Sequence, residues 1–226
     1  EGTGAGSRLD ALGGDIVVGP QEAEGEPTEG GSIIVGLESE TNSYMPSIFR
    51  GSQAGINVAY AIYDPLTTRD AEGNIVPYLA ESVEPNEDFT QWTVTLPEGV
   101  TFHDGTPLNA ESMKRQFDEF LMAEGTNTAG SLRREVESVE VIDEYTYVYN
   151  MVQPNSAWPD ALAGVVGWPF SPTAAAAAGD AFGDHPVGTG PFRFVSWQRD
   201  GDLVVERNPD YWQEGLPYLD RITFRP

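Results

Sequence analysis

The sequence predicts a mixed fold, α/β to α+β, in which helices pack against sheets without a regular repeat. Apolar residues make up 39% of the 226 residues, which is enough to bury a core. The chain contains 25 glycines and 17 prolines, a turn-rich composition that argues against a helical bundle. Segments with strand and helix patterns follow one another without strict βαβ alternation, which is typical of α+β or mixed-sheet α/β folds.

The first half of the chain carries two strand patterns and two helix patterns. An apolar run at residues 33–37 predicts a buried strand, and the alternation at residues 91–96 predicts a second one. Residues 56–63 predict a short helix that ends before Asp64-Pro65. A second helix runs from the cap residue Asn109 to Leu121, because its apolar side chains recur on one helical face.

The second half predicts a hairpin, one more helix and three strands. Alternating runs at residues 136–142 and 145–152 flank Asp143-Glu144, which is typical of a hairpin. The alanine-rich segment 172–182 predicts a short helix. Strand patterns follow at residues 192–197, 203–206 and 222–224.

Residues 1–31 differ in composition from the rest of the chain. They hold nine glycines and seven acidic residues around one short apolar cluster at residues 16–18. Such a segment cannot bury enough surface to offset its ordering entropy, so we predict a flexible acidic tether. It would serve either as a spacer between a membrane anchor and the folded body or as an unstructured terminus.

Charge and residue usage exclude several classes of function. The net charge of −24 repels phosphate backbones and anionic membrane surfaces, so we expect no nucleic-acid partner. The chain has no cysteine and two histidines far apart, so we expect neither a metal site nor a cofactor. No Gly-x-Ser-x-Gly elbow or phosphate loop occurs, and we therefore predict that the protein is not an enzyme. His103, in Phe-His-Asp-Gly, indicates a turn residue rather than a ligand.

Four groups of motifs occur together along residues 32–226. They are YDPLT at 63–67 with PYLAES at 77–82; WTVTL at 92–96 with GVTFHDGTPLNAE at 99–111; DEYTYV at 143–148; and PVGTGPF at 186–192 with ERNPDYW at 206–212 and PYLD at 217–220. In this order and spacing they resemble the family 5 extracellular solute-binding proteins of bacterial ABC importers, the dipeptide, oligopeptide and nickel-binding group. Each motif can be explained by a structural role, either as a turn or as packing against the core. Trp92, Trp197 and Trp212 are expected to pack in the core.

The resemblance implies a periplasmic-binding-protein-like class II lobe with an α+β insertion. The first lobe would combine residues 32–49 and 167–226 around a mixed sheet, with an inserted subdomain at residues 50–166. Family members are about twice as long, so the chain looks like an N-terminal portion that lacks the second lobe.

The resemblance also implies capture of an extracellular or periplasmic solute and delivery to ABC permease subunits. The ligand would be a peptide by default, with an oligosaccharide as the competing class. We expect a monomer, tethered to the cell membrane as a lipoprotein. The alternative function is a one-lobe surface or interaction module without a role in transport.

Candidate ligand contacts follow from the same resemblance. The family lines its cleft with the loop after the first strand, which here supplies Glu40, Thr41, Asn42 and Tyr44. Arg133, in the segment after the second helix, is the charged candidate, although its position favours an ordinary surface arginine. Trp158 and Trp168 fall outside the packing motifs, and Trp168 lies near the crossover back to the first lobe. These seven residues are the predicted site.

Overall fold

A computed structural model of the protein describes residues 27–126 and 129–226. The first sheet contains four strands in the order β1-β10-β9-β8. Their bounds are Ser32–Gly36 for β1, Phe192–Trp197 for β8, Leu203–Arg207 for β9 and Arg221–Arg225 for β10. β1 pairs in parallel with β10, and the other two pairings are antiparallel. The sheet therefore joins the beginning of the described chain to its end.

The second sheet is antiparallel throughout and has the order β4-β5-β7-β6. Its strands are Ser82–Pro85 (β4), Gln91–Thr95 (β5), Val136–Val141 (β6) and Thr146–Met151 (β7). A separate antiparallel pair, β2 (Thr67–Arg69) and β3 (Ile75–Pro77), connects the first helix to this sheet. The side chains of Val94, Tyr147 and Tyr149 are buried beneath the helices that cover one face.

In the described ranges, five α-helices surround the sheets. They are α1 (Gln53–Ile62), α2 (Ala110–Arg115), α3 (Ala129–Glu135), α4 (Trp158–Ala161) and α5 (Pro172–Ala178). A capping box begins α2, in which Asn109 and Ser112 satisfy each other's backbone N–H groups. The chain continues from α2 as a π-helix over Gln116–Leu121, and short 3₁₀ segments occupy Val165–Gly167 and Gly179–Asp184.

The structure confirms the positions of the predicted strands, the hairpin and the main helices, with small shifts in their ends. The prediction that the first strand is buried is wrong, because β1 pairs on one side only and leaves Ile34 63% exposed. The first helix begins at Gln53 rather than residue 56, because Ser52 caps it by accepting a hydrogen bond from the Gly55 N–H. The α-helix predicted to reach Leu121 changes to a π-helix at Gln116. The short elements β2, β3, β4, α3 and α4 were not predicted.

The two larger sheets are formed by different parts of the chain. The first sheet uses residues 32–36 and 192–225, and the second lies within residues 82–151. Helix α1, which was placed in the insertion, packs against β8 of the first sheet. Most of the predicted tether, residues 1–26, lies outside the described residues, and the division into a lobe and an insertion remains a prediction.

Candidate functional site

The carboxyl ends of β1 and β10 lie side by side at one edge of the first sheet. The Leu37 N–H donates to the Arg225 carbonyl at 2.6 Å, which keeps the two strand ends together. Ligands of open sheets bind where parallel strands end, because loops and free backbone groups converge there. A cleft of about 280 Å³ opens at this edge, lined by Gly36, Leu37, Glu38, Gln53, Ala54 and Asn57.

The loop that follows β1 is held from the outside by the turn between β8 and β9. Glu40 accepts a 2.6 Å hydrogen bond from the Trp197 indole N–H and a longer one from the Asp200 N–H. The Arg199 guanidinium donates to the carbonyls of Thr41 and Asn42, both at 3.1 Å. Most polar groups at the start of the loop therefore have fixed partners.

The middle of the loop is anchored in the core. Tyr44 is 2% exposed, and its ring lies 5.0 Å from that of Trp197. The Tyr63 hydroxyl donates to the Tyr44 carbonyl at 2.8 Å. Burial, and then the charge of Glu40, raise the pKa of Tyr44 well above its usual range, so this phenol stays neutral.

Asn42 closes the exposed part of the loop. Its amide N–H donates to the Ile48 carbonyl at 3.1 Å, and its amide oxygen accepts from the Arg50 N–H at 3.0 Å. These two contacts stabilise a compact loop without regular secondary structure.

An aromatic cluster extends the site along α1. Trp168 is 1% exposed, stacks on Tyr63 with centroids 5.8 Å apart, and meets Phe49 edge-on at 5.4 Å. Its indole N–H has no hydrogen-bond partner among the described residues. Tyr60 packs against the same indole at 5.8 Å but is 43% exposed, so the cluster reaches the surface there.

Tyr60 was not among the predicted site residues. It lies on the exposed face of α1 with Gln53 and Asn57, which line the cleft. The spacing i, i+4, i+7 places the three residues on one side of a helix. That spacing is the signal in the sequence that could have identified them, once the helix is known to begin at Gln53.

Two of the seven predicted residues lie elsewhere. Arg133, on α3, is exposed and donates to the Met122 carbonyl at 2.8 Å. Trp158 has no exposed surface and packs edge-on against Tyr149 of the second sheet, with centroids 5.0 Å apart. The structure thus brings together Glu40, Thr41, Asn42, Tyr44 and, through Phe49, Trp168, and it separates Arg133 and Trp158 from them.

His103 has the structural position that its motif indicates. Its Nε2 lies 2.9 Å from the Gly190 carbonyl, and the Gly188 N–H approaches Nδ1 at 3.4 Å. This pattern suits the neutral imidazole with the proton on Nε2. Burial lowers the pKa of His103 to about 4, so the ring stays neutral near pH 7.

Asp64 forms a second buried contact between segments that are far apart in the sequence. The carboxylate is 2% exposed and accepts from the Trp212 indole N–H at 2.7 Å and the Tyr211 hydroxyl at 3.1 Å. Burial raises the pKa of Asp64 to about 7, although both hydrogen bonds oppose the shift. The motifs that carry the resemblance therefore contact one another inside the protein.

The three tryptophans expected to pack in the core differ in the acceptor of the indole N–H, which is a backbone carbonyl for one and a carboxylate for the other two. Trp92 is 5% exposed and donates to the Asn155 carbonyl. Trp197 and Trp212 also pack against the core, but each donates its indole N–H to a carboxylate. Trp197 thereby becomes part of the candidate site.

Within the part of the chain that the structure describes, no cluster of three or more metal-ligating side chains occurs. No helix in the same residues is long and apolar enough to cross a bilayer.

The protein-family model described as bacterial extracellular solute-binding proteins, family 5 middle, matches residues 74–226, which is more than half of the chain. The chain belongs to this family. Family 5 proteins are extracellular binding proteins and not enzymes, as the sequence predicted.

Among curated relatives of this family 5 chain are two glutathione-binding proteins GsiB. The protein from Pectobacterium atrosepticum is 36% identical and the one from Shigella flexneri 37% identical, each over 169 residues. These matches cover 75% of the chain but 33% of each relative, so the chain spans about a third of their length.

Solved structures agree with this assignment. The binding protein AgaA of A. tumefaciens R10, in complex with agropinic acid, matches with a TM-score of 0.78 and 28% identity, over 86% of this chain and 39% of AgaA. The oligopeptide-binding protein AppA of Bacillus subtilis, in complex with a nonapeptide, matches with a TM-score of 0.74 and 25% identity, over 88% of this chain and 40% of AppA. The predicted periplasmic-binding-protein fold is confirmed.

Proposed function

We propose that the chain forms part of the substrate-binding component of an ABC importer, which captures an extracellular peptide and delivers it to a membrane permease. The observation that carries the proposal is the braced polar loop at the carboxyl ends of β1 and β10, beside an open cleft. A loop whose backbone is already fixed loses little entropy when a ligand binds.

Peptide is the favoured ligand class because two of the matched proteins named above bind peptide-like solutes. GsiB is named as a glutathione-binding protein, and AppA holds a nonapeptide. Asn57 and Gln53 offer amide groups that pair with a peptide backbone, while Tyr60 and the rim of the aromatic cluster offer apolar contact. An oligosaccharide is the alternative that the same aromatic surface would accept.

A two-lobed arrangement of the complete protein is part of this proposal, since the chain spans about a third of the length of its GsiB relatives. A single lobe would leave half of a ligand in water, so capture requires closure of a second lobe that favours the bound state.

Further parts of the proposal concern the cellular setting. The binding component acts as a monomer outside the cytoplasm and is held near the membrane by a lipid-anchored acidic tether. The net charge of −24 supports the monomer, because repulsion between like-charged copies keeps them apart in solution.

The test uses the full natural reading frame that contains this chain. Native mass spectrometry identifies any co-purified solute, and calorimetry measures affinities for glutathione, defined peptides and oligosaccharides. Tyr60→Ala should weaken binding about fivefold or more, because an aromatic contact that becomes buried on binding contributes over about 1 kcal/mol. Tyr218→Ala is the matched control: Tyr218 is 42% exposed, against 43% for Tyr60, and lines a different cavity.

Two outcomes would overturn the proposal. One is a full-length protein that retains no solute and shows no thermal shift with either peptides or sugars. The other is an equal effect of Tyr60→Ala and Tyr218→Ala on binding. Preference for sugars over peptides would retain capture but replace the ligand class.

A further inference from the structure

The turn between β8 and β9 contacts two distant parts of the chain at once. On one side, Arg199 reaches the backbone of the loop after β1. On the other side, Asp202 accepts two hydrogen bonds from the Arg225 guanidinium, both at 2.8 Å. Arg225 ends β10, and its carbonyl accepts the Leu37 N–H at the start of the same loop. The turn, the loop and the two strand ends thus form one connected unit.

Arg199 uses its planar fork rather than charge alone. Nη1 donates to the Thr41 carbonyl, and Nη2 donates to the Asn42 carbonyl and contacts the Asp184 carboxylate. The guanidinium plane lies over the Trp197 ring, with 3.6 Å between its central carbon and the ring centroid. An ammonium group cannot satisfy two successive carbonyls and stack at the same time.

Trp197 couples this arrangement to Glu40. Its ring supports Arg199 on one side and contacts Tyr44, while its indole N–H donates to the Glu40 carboxylate. The side chains of this cluster therefore hold the backbone carbonyls of Thr41 and Asn42 and the side chain of Glu40. The loop that they hold follows directly after residues 36–38, which line the cleft.

We propose that Arg199 is a positioning residue for solute binding, which holds the loop at residues 40–44 in its ligand-ready conformation, while Asp202 of the same turn links the loop to the end of β10. This inference rests on the proposed function. Arg199 does not need to touch the ligand, because its donors are already directed at the loop and at Asp184. Its effect on binding is a smaller ordering cost for the loop.

The side chain of Arg199 is 45% exposed, so its replacement leaves no buried cavity. The experiment compares Arg199→Lys and Arg199→Ala with the wild-type full-length protein. Asp184→Asn is the matched control, since it removes the surface ion pair and keeps both carbonyl contacts. Hydrogen exchange is measured at the Tyr44 and Arg50 amides, which donate to the Gly183 carbonyl and the Asn42 side chain. Affinity is measured for glutathione and for trialanine.

Both arginine variants should exchange these two amides about tenfold faster or more, with no change at amides of the second sheet. Affinity for whichever probe the wild type binds should fall about tenfold in both, because lysine keeps the charge but not the fork. The control should behave as wild type, since exposed ion pairs contribute at most about 1 kcal/mol.

Wild-type exchange rates in Arg199→Ala would overturn the inference, as would full affinity in Arg199→Lys. Equal loss of protection throughout the fold would show a merely structural role and would also overturn it. If the wild-type protein binds neither probe, the exchange data still decide whether Arg199 orders the loop. The calorimetry and mass spectrometry described above then decide the proposed function separately.

Discussion

Replacing His103 with glutamine should remove a pH dependence that the imidazole imposes on folding. The ordinary pKa of 6.5 applies in the unfolded chain, whereas burial lowers the pKa of His103 to about 4 in the folded protein. As pH falls below about 7, the unfolded state therefore takes up the proton first and gains stability. Stability from the neutral imidazole is complete above the unfolded pKa and is lost as pH falls towards the folded one.

The size of the pKa shift of His103 sets the size of the change in the free energy of unfolding. A difference of one pKa unit corresponds to about 1.36 kcal/mol, so the lost stability reaches at most about 2 kcal/mol at pH 5 relative to pH 7.5. Glutamine does not titrate, and its side-chain N–H can replace the Nε2 donor that faces the Gly190 carbonyl. The free energy of unfolding of the wild type, minus that of His103→Gln, should therefore fall by about 2 kcal/mol over this range.

Urea unfolding followed by tryptophan fluorescence at several pH values measures this difference. The carboxyl groups titrate in both proteins, so their contributions to the free energy of unfolding cancel in the subtraction. His185→Gln provides a control for the loss of an exposed histidine. Parallel stability curves for wild type and His103→Gln between pH 7.5 and 5 would refute the assignment of a buried, neutral imidazole.

Three further substitutions test contacts inside the protein: the hydrogen bonds of Asp64, the close packing at Gly190 and the helix cap at Asn109. Asp64→Asn should reveal the opposite pH dependence: because burial raises the pKa of Asp64 to about 7, the wild type should gain about 2.6 kcal/mol over the variant as pH falls from 8 to 5, measured by urea unfolding. Gly190→Ala should destabilise by about 1–3 kcal/mol in the same assay, since its Cβ would lie 2.5 Å from the Ile62 carbonyl carbon, whereas Gly36→Ala, with nothing within 4 Å, should be nearly neutral. Asn109→Ala should lower the unfolding free energy by about 1 kcal/mol through loss of the helix cap, and an unchanged melting temperature would contradict that role.

Local sequence patterns predicted the elements that are long enough to show a period. The strands at residues 91–96 and 192–197 alternate, and the helix after Asn109 has both a cap and an apolar face. Strands β2 and β3 have three residues each, too few to display alternation, and exist because they pair with each other. The π-helix after α2 was equally hidden, since its apolar spacing resembles that of an α-helix.

The candidate site was predictable only in part, because its contacts join residues far apart in sequence. The polar loop after β1 could be identified, but Arg199 lies 158 residues beyond the Thr41 carbonyl that it contacts. Trp158 and Trp168 look alike as isolated tryptophans, and both are fully buried. Only the three-dimensional structure shows that Trp168 joins the loop through Phe49 while Trp158 packs in the second sheet.

The motifs that identify the family and the residues proposed to bind the ligand form different layers of the molecule. Asp64, His103 and Gly190 bond to groups inside the protein, so changes there act on the free energy of folding. Asn57 presents an exposed amide at the cleft, and Tyr60 lies on the same exposed face of α1, so we expect changes at these two residues to leave the fold intact and to alter what is bound. A family assignment based on the first set therefore specifies the scaffold, and ligand class must be read from the second.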